Sequence, residues 1–136
     1  PPMNLIDGEI TTQDDKTSFK AGESFTIQIR NDLVDSMKKA TRHESGQTVI
    51  RLGIRCEHIR LGRQKISDDS FQLPVYAIVH EAESSIVTFE LRDTFLHVRT
   101  RGEEGLHDYS LSETVWLDFD QIHVLFFDKT LEISKV

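Results

Sequence analysis

Hydrophobic and polar residues alternate along most of the chain. Phe25, Ile27 and Ile29 fall on one side of an extended segment, with polar residues between them. A two-residue period is typical of a half-buried β-strand, because successive side chains point to opposite faces. The same alternation recurs over residues 48–54, 87–92 and 111–119, with Glu113 on the apolar side of the last segment. The pattern therefore predicts a mostly β chain.

Short polar turns separate several of these segments. Residues 7–12 and 16–20 flank the turn Gln13-Asp14-Asp15, and Leu91 and Thr94 flank a second turn, Arg92-Asp93. Turns of this length and composition connect neighbouring strands in hairpins. We therefore expect neighbouring strands to run antiparallel.

The segment from Asn31 to Arg42 breaks the alternation. It places Leu33, Met37 and Ala40 on one helical face, with acidic residues near its start and Lys38, Lys39 and Arg42 near its end. Charges in this order complement the helix dipole. The spacing predicts one helix over about residues 32–42, and the basic residues are better explained by the dipole than by a bound anion.

Several short strands with one inserted helix favour a small OB-like barrel over a sandwich, since a barrel leaves fewer unpaired strand edges. The 136 residues suit one domain with an apolar core. We predict an all-β fold in a single domain covering residues 1–136.

Charge and cysteine usage limit the possible partners and location. The net charge is −7, which opposes binding to a phosphate backbone, so we expect no nucleic acid partner. The single cysteine cannot form an internal disulfide, and no signal segment or membrane-spanning apolar run is evident. These features predict a cytosolic domain.

Catalytic and cofactor motifs are missing from the sequence. Gly-Lys and Gly-x-Gly do not occur, which excludes a P-loop and a dinucleotide fingerprint, and no Gly-x-Ser-x-Gly elbow exists. The six histidines are scattered, and the Cys56–His58 pair has neither further zinc ligands nor a third catalytic group. We expect no enzyme activity, no bound cofactor and no metal in this chain.

One octapeptide carries the clearest signal. Residues 52–59 read Leu-Gly-Ile-Arg-Cys-Glu-His-Ile, which closely resembles the element LGIRPEHI of the TOBE domain at the C-terminus of maltose-importer-type ABC ATPases. Residues 1–10, 115–120 and 123–128 resemble the entry and closing strands of the same domain, in the same order. The sequence departs from the family at three places: Cys56 replaces Pro, residues 80–85 lack a Leu-Gly pair, and Phe126-Phe127 replaces one Phe.

The resemblance implies a regulatory and dimer-stabilising domain cut from a larger ATP-binding subunit of an importer for sugars or related solutes. ATP and magnesium would then belong to a nucleotide-binding domain upstream of Pro1. The implied partners are a second ATPase subunit, the permease subunits and a cytosolic regulator. The implied location is the cytoplasmic side of the membrane, as a peripheral protein.

The octapeptide is best explained as a structural corner. Gly53 permits close packing beside Ile54, and Arg55, Glu57 and His58 can fix the following turn through charge-assisted hydrogen bonds. Trp116 is the separate candidate for an interface, because alternation places it opposite the apolar face of its strand, where an aromatic side chain can anchor a partner.

Two other classes of function remain open. Domains related to TOBE hold molybdate-type oxyanions, which would require convergence of the basic residues Arg51, Arg55, Arg60 and Arg63, although alternation places these on mixed faces. A freestanding OB-type oligonucleotide binder would need a basic groove with exposed aromatic residues, which the negative charge opposes.

Overall fold

The computed structural model describes residues 3–23, 25–41, 49–92, 94–101 and 109–127. Within these ranges the chain forms ten strands and one α-helix, in the order β1 Met3–Gln13, β2 Lys16–Ala21, β3 Phe25–Gln28, α1 Asn31–Thr41, β4 Val49–Arg55, β5 Ile59–Gly62, β6 Phe71–His80, β7 Ser84–Leu91, β8 Thr94–Arg101, β9 Thr114–Phe119 and β10 Leu125–Phe127. The fold is all-β and OB-like, as the alternating pattern predicts.

The chain divides into two compact units. Unit A comprises Leu5–Gly53 and Gln121–Val136, and unit B comprises Pro1–Asn4 and Ile54–Asp120. The chain passes between the units within β1, within β4 and between Asp120 and Gln121. The single domain over residues 1–136 stays a prediction.

Unit A is built on a five-stranded sheet in the order β10-β4-β1-β2-β3. The β1–β2 and β2–β3 pairs are antiparallel, and the first hairpin closes through Asp14 and Asp15, which both have positive φ, at 54° and 62°. Paired positive φ values suit a two-residue hairpin, and Asp tolerates them better than most residues. The polar turn predicted from the sequence is confirmed.

The buried side chains of unit A come from alternate strand positions. Phe25, Ile27 and Ile29 are buried as predicted, and Ile50 and Leu52 of β4 join them. Phe19 packs edge to face on Phe25, with ring centroids 6.0 Å apart. These contacts place the core of the unit on one face of its sheet.

Helix α1 lies in unit A, and its start is fixed by polar contacts. Gln121 receives a hydrogen bond from the Arg30 amide at 3.0 Å and donates one to the Gln28 carbonyl at 2.8 Å. Met37 is buried and Leu33 is half-buried, so the predicted helical face is confirmed at both positions. The side chain of Ala40 and all of Arg42 lie outside the described residues.

Unit B is built on a second five-stranded sheet in the order β5-β9-β6-β7-β8. Each neighbouring pair in this sheet is antiparallel, and the β6–β7 pair contains a β-bulge between Val75 and Ala77. Val87, Phe89 and Leu91 are buried as the alternation predicts.

The prediction of a strand over residues 111–119 is wrong for the first three residues. Strand β9 begins only at Thr114, and Leu111 is exposed in a turn. Ser112 has a φ of 70°, in the left-handed region, which a continuous strand cannot contain. Glu113 therefore precedes the strand, and the alternating pattern was wrong to place it on the apolar face.

Candidate functional site

The octapeptide forms a corner between two strands. Strand β4 ends at Arg55, a 3-10 turn covers Cys56–His58, and β5 begins at Ile59. The side chains of Ile54, Cys56 and Ile59 are buried, whereas Arg55 and Glu57 are exposed. The corner thus directs alternate residues into the core and toward solvent.

Hydrogen bonds hold the corner in place. The Asp120 amide donates to the carbonyl of His58 at 3.1 Å, so the end of β9 is fixed to the turn. The pKa of Glu57 is lowered, chiefly by a hydrogen bond from its own backbone amide and then by the nearby charges of His58 and Arg55. Cys56 Sγ lies 3.8 Å from Glu57 Oε1. The main contact of the Glu57 carboxylate with the turn is therefore this main-chain hydrogen bond. The structural role of Gly53, Ile54, Arg55, Glu57 and His58 stays a prediction.

Trp116 is half-buried on β9. It lies opposite Gly62 on β5 and opposite Gln72 on β6, so its strand has a neighbour on each side. The interface role of Trp116 stays a prediction, since part of the residue is covered within its own unit.

Asp118 lies on β9, two residues after Trp116. Asp118 shares the polar face with Trp116 in the sequence pattern, yet it is buried and paired with Arg60. Its Oδ1 atom also accepts hydrogen bonds from the hydroxyl groups of Ser67, at 2.5 Å, and Ser70, at 3.3 Å. Sequence reasoning missed this site, because Ser67 and Ser70 lie about fifty residues away in the chain.

The serine pair is itself held by main-chain contacts. Ser70 Oγ accepts the amide hydrogen of Ser67 at 2.8 Å, and Ser67 Oγ accepts that of Asp69 at 3.2 Å. The segment between β5 and β6 therefore folds around the Asp118 carboxylate. A carboxylate surrounded by donors in this way is suited to fixing a loop, and no reacting group lies beside it in the described contacts.

Three of the four basic residues considered for an oxyanion have separate acidic partners. Arg51 Nε donates to Asp7 at 2.7 Å, Arg60 pairs with Asp118, and Arg63 Nε donates to Glu113 at 2.7 Å.

Arg63 also lies over the ring of Tyr109, 4.6 Å from its centroid, and Arg55 is exposed on its turn. A site for a free anion needs cations with unused donors that converge. Three of the four arginines instead donate to a carboxylate of the chain.

Other functional groups are sparse in the described part of the chain. No group of three or more His, Cys, Asp or Glu side chains within residues 3–23, 25–41, 49–92, 94–101 and 109–127 is arranged to hold a metal ion. In those same ranges, the helix is too short and too polar to cross a bilayer.

A family model matches the first part of the chain. Residues 1–59 match the family model of the MalK OB fold domain, and the match ends at the last residue of the octapeptide. Comparison with curated protein sequences gives no significant match.

A solved structure of the cytoplasmic molybdate-binding protein ModG, with molybdate bound, superposes with a TM-score of 0.72 at 12% identity. The superposition covers 92% of this chain and 95% of that one. The ModG likeness shows a shared fold, and the MalK likeness shows that the first 59 residues are similar to an OB fold domain of that type.

Proposed function

We propose that this chain is the regulatory and dimer-stabilising C-terminal domain of the ATP-binding subunit of an ABC importer for sugars or related solutes. The observation that carries the proposal is the match of residues 1–59 to the MalK OB fold domain. That range includes the octapeptide, which closely follows the signature of this class.

The geometry of the corner favours a structural and regulatory role for these residues and does not favour a catalytic role. Its apolar residues fill the core, the Glu57 carboxylate binds the main chain, and the cysteine is buried beside that carboxylate. A thiol buried in the core is a poor nucleophile, because a substrate cannot reach it.

In this proposal ATP and magnesium bind an upstream nucleotide-binding domain. The domain contributes to pairing of two ATPase subunits on the cytoplasmic side of the membrane, where the subunits also meet the permease, and it is a place for a cytosolic regulator to act. The negative net charge fits these protein partners better than it fits nucleic acid.

The decisive test is the coding sequence that surrounds Pro1. We expect a reading frame with a nucleotide-binding domain upstream, including the Gly-x-x-x-x-Gly-Lys-Ser/Thr loop. The full-length product should hydrolyse ATP and sediment as a dimer at micromolar concentration. A reading frame that begins near Pro1, or a full-length product that lacks ATPase activity, would contradict the proposal.

A second candidate function is the binding of a molybdate-type oxyanion. The likeness to ModG over 92% of the chain favours it. The acidic partners of Arg51, Arg60 and Arg63 weigh against it.

Titration calorimetry with molybdate and with sulfate separates the two candidates. We expect no saturable heat with either anion if the importer assignment is right. Saturable micromolar binding of molybdate over sulfate would favour the second candidate instead.

A further inference from the structure

One face of strands β6, β7 and β8 in unit B carries side chains in three cross-strand rows. Val79, Ile86 and Arg99 lie opposite one another in the first row, and Ala77, Thr88 and His97 form the second. The third row contains Glu90 and Phe95, with Tyr76 at the adjacent β-bulge. We refer to these three rows as the meander face.

The meander face exposes large apolar side chains at both ends. Val79 is 58% exposed, Tyr76 is 57% exposed and Phe95 is 42% exposed. The rings of Tyr76 and Phe95 pack together, with centroids 5.1 Å apart. Rigid aromatic pairs of this kind concentrate binding energy at protein interfaces, because little side-chain entropy is lost on contact.

Arg99 provides a charge at the other end of this face. Its side chain is only 16% exposed, and both of its described side-chain contacts involve the same nitrogen, Nη1. One contact is a hydrogen bond to Ser84 Oγ at 3.2 Å, and the other is an approach of 3.8 Å to Glu81 Oε1. The second distance is too long for a hydrogen bond.

Among the described residues, the contacts of the Arg99 guanidinium use only some of its donors. Its Nε atom is buried, and within the described ranges no acceptor lies in hydrogen-bonding position to it. A largely buried guanidinium is costly unless its donors are satisfied, and a carboxylate satisfies two of them at once. The Glu81 side chain, which approaches Arg99 without a hydrogen bond, is about half exposed at the β6–β7 hairpin.

We propose that the meander face is a docking surface for a partner protein segment that carries a carboxylate beside an apolar side chain. The carboxylate pairs with Arg99 across the row that contains Val79, and the apolar side chain packs on Tyr76 and Phe95. Arg99 and Phe95 are four residues apart on one strand, so the two anchors of the partner lie about 13 Å apart.

The acidic residues near Arg99 and the charge of the whole chain disfavour a polyanion as the partner. Glu81 and Glu90 lie on or beside the meander face, and the whole chain has a net charge of −7, so a nucleic acid would be repelled. A single carboxylate within an apolar segment avoids most of that repulsion. The proposal rests on unit B alone and does not depend on the importer assignment.

The test is selection of a random peptide library displayed on phage against the folded chain. We expect the enriched peptides to share an acidic residue and an apolar residue at a fixed spacing. Their Kd, measured by fluorescence anisotropy, should weaken by about tenfold or more with Arg99→Gln or when glutamine replaces the acidic residue. Combining the two changes should weaken binding little further, because they remove the same pair.

Matched variants distinguish the loss of a contact with the peptide from a loss of folding. Val79→Thr keeps a β-branched side chain on the strand and should also weaken binding, whereas Val49→Thr and Arg30→Gln in unit A should leave Kd within about twofold. If Arg99→Gln lowers the melting temperature, Arg99→Lys is used as the test variant instead. Lysine keeps the positive charge but cannot form the bidentate contact with a carboxylate.

Three results would overturn the proposal. The first is a selection that enriches no acidic peptide, and the second is equal binding to the wild-type and Arg99→Gln chains. The third is light scattering that shows self-association abolished by Arg99→Gln, which would mean that a second copy of the chain covers the meander face.

Discussion

The side-chain amide of Asn4 binds both main-chain groups of His97. Asn4 Nδ2 donates to the His97 carbonyl and Asn4 Oδ1 accepts the His97 amide hydrogen, each at 2.8 Å, across 93 residues of sequence. Strand β8 ends the sheet of unit B, so the amide takes the place of a neighbouring strand at His97. An otherwise unpaired strand edge is thereby satisfied at one residue.

Replacing Asn4 with alanine should destabilise unit B. Asn4 is buried, and the substitution removes both of its hydrogen bonds to the main chain of His97. We expect a loss of about 1–3 kcal/mol in the free energy of unfolding, measured with urea, and faster hydrogen exchange at the His97 amide. Gln72→Ala removes an exposed amide from β6 and serves as the control. Equal exchange rates at His97 in both variants would contradict this role.

Asp118 should be more important for stability than its exposed partner Arg60. The Asp118 side chain is 5% exposed and the Arg60 side chain is 61% exposed, so only the guanidinium can return to water when the pair is broken. Asp118→Ala also removes the acceptor for Ser67 and Ser70 and should cost about 1–3 kcal/mol in urea unfolding.

Arg60→Gln is the comparison for this pair. The Asp118 carboxylate keeps its serine donors in this variant, which limits the loss. Equal losses in the two single variants would mean that the ion pair, and not the serine contacts, provides the stabilisation.

Gly8 should not tolerate a side chain. A Cβ atom at this position would lie 2.5 Å from Phe19 Cζ and 2.7 Å from the Lys20 carbonyl oxygen, and Phe19 is buried in the core of unit A. Gly8→Ala should therefore destabilise the chain by about 1–3 kcal/mol, because the main chain of β2 must shift.

Gly62→Ala is the matched control for Gly8. The nearest atom to its added Cβ would be the Gln64 carbonyl oxygen at 3.3 Å, which requires only a small adjustment. A change in melting temperature as large as that of Gly8→Ala would show that loss of glycine itself, and not the steric contact, is responsible.

Glu113 should make stability depend on pH in the acidic range. Its pKa lies below the ordinary value of 4.5, mainly because Arg63 donates a hydrogen bond and also because the Ser110 amide does. A carboxyl group whose pKa is lowered by folding contributes stability above its unfolded pKa and loses it as the pH falls through the folded pKa.

The test is urea unfolding of the wild type and Glu113→Gln at a series of pH values. The difference in free energy of unfolding should be constant near neutrality and should shrink as the pH falls below 4.5. In an Arg63→Gln background the same comparison should show a weaker dependence on pH. A difference that is independent of pH would contradict the role of the Arg63 contact.

Much of the fold could be predicted from local pattern. Phe25, Ile27 and Ile29 alternate with polar residues and are buried, and Asp14-Asp15 forms the turn that its composition indicates. The helix begins at Asn31 and ends at Thr41, close to its predicted bounds. These features depend on periodicity and turn chemistry, which neighbouring residues fix without help from the rest of the chain.

The candidate site was less predictable. The octapeptide located the corner, but Asp118 and Arg99 gave no signal beyond being single charged residues in strands. Alternation assigns a residue to a face and does not say whether that face is covered. Asp118 is covered by a loop that contributes Ser67 and Ser70, and Leu111 is exposed because Ser112 interrupts the strand.

The sequence by itself determined that the chain is mostly β with one helix, that Phe25, Ile27 and Ile29 face the core, and which family its octapeptide resembles. Only the tertiary structure decided which charges are paired and which polar groups are buried. The pairs Asn4–His97 and Arg60–Asp118 join residues 93 and 58 positions apart. The physical reason is that periodicity reports the local geometry of the backbone, whereas an ion pair or a buried hydrogen bond depends on strands that meet only when the sheet forms.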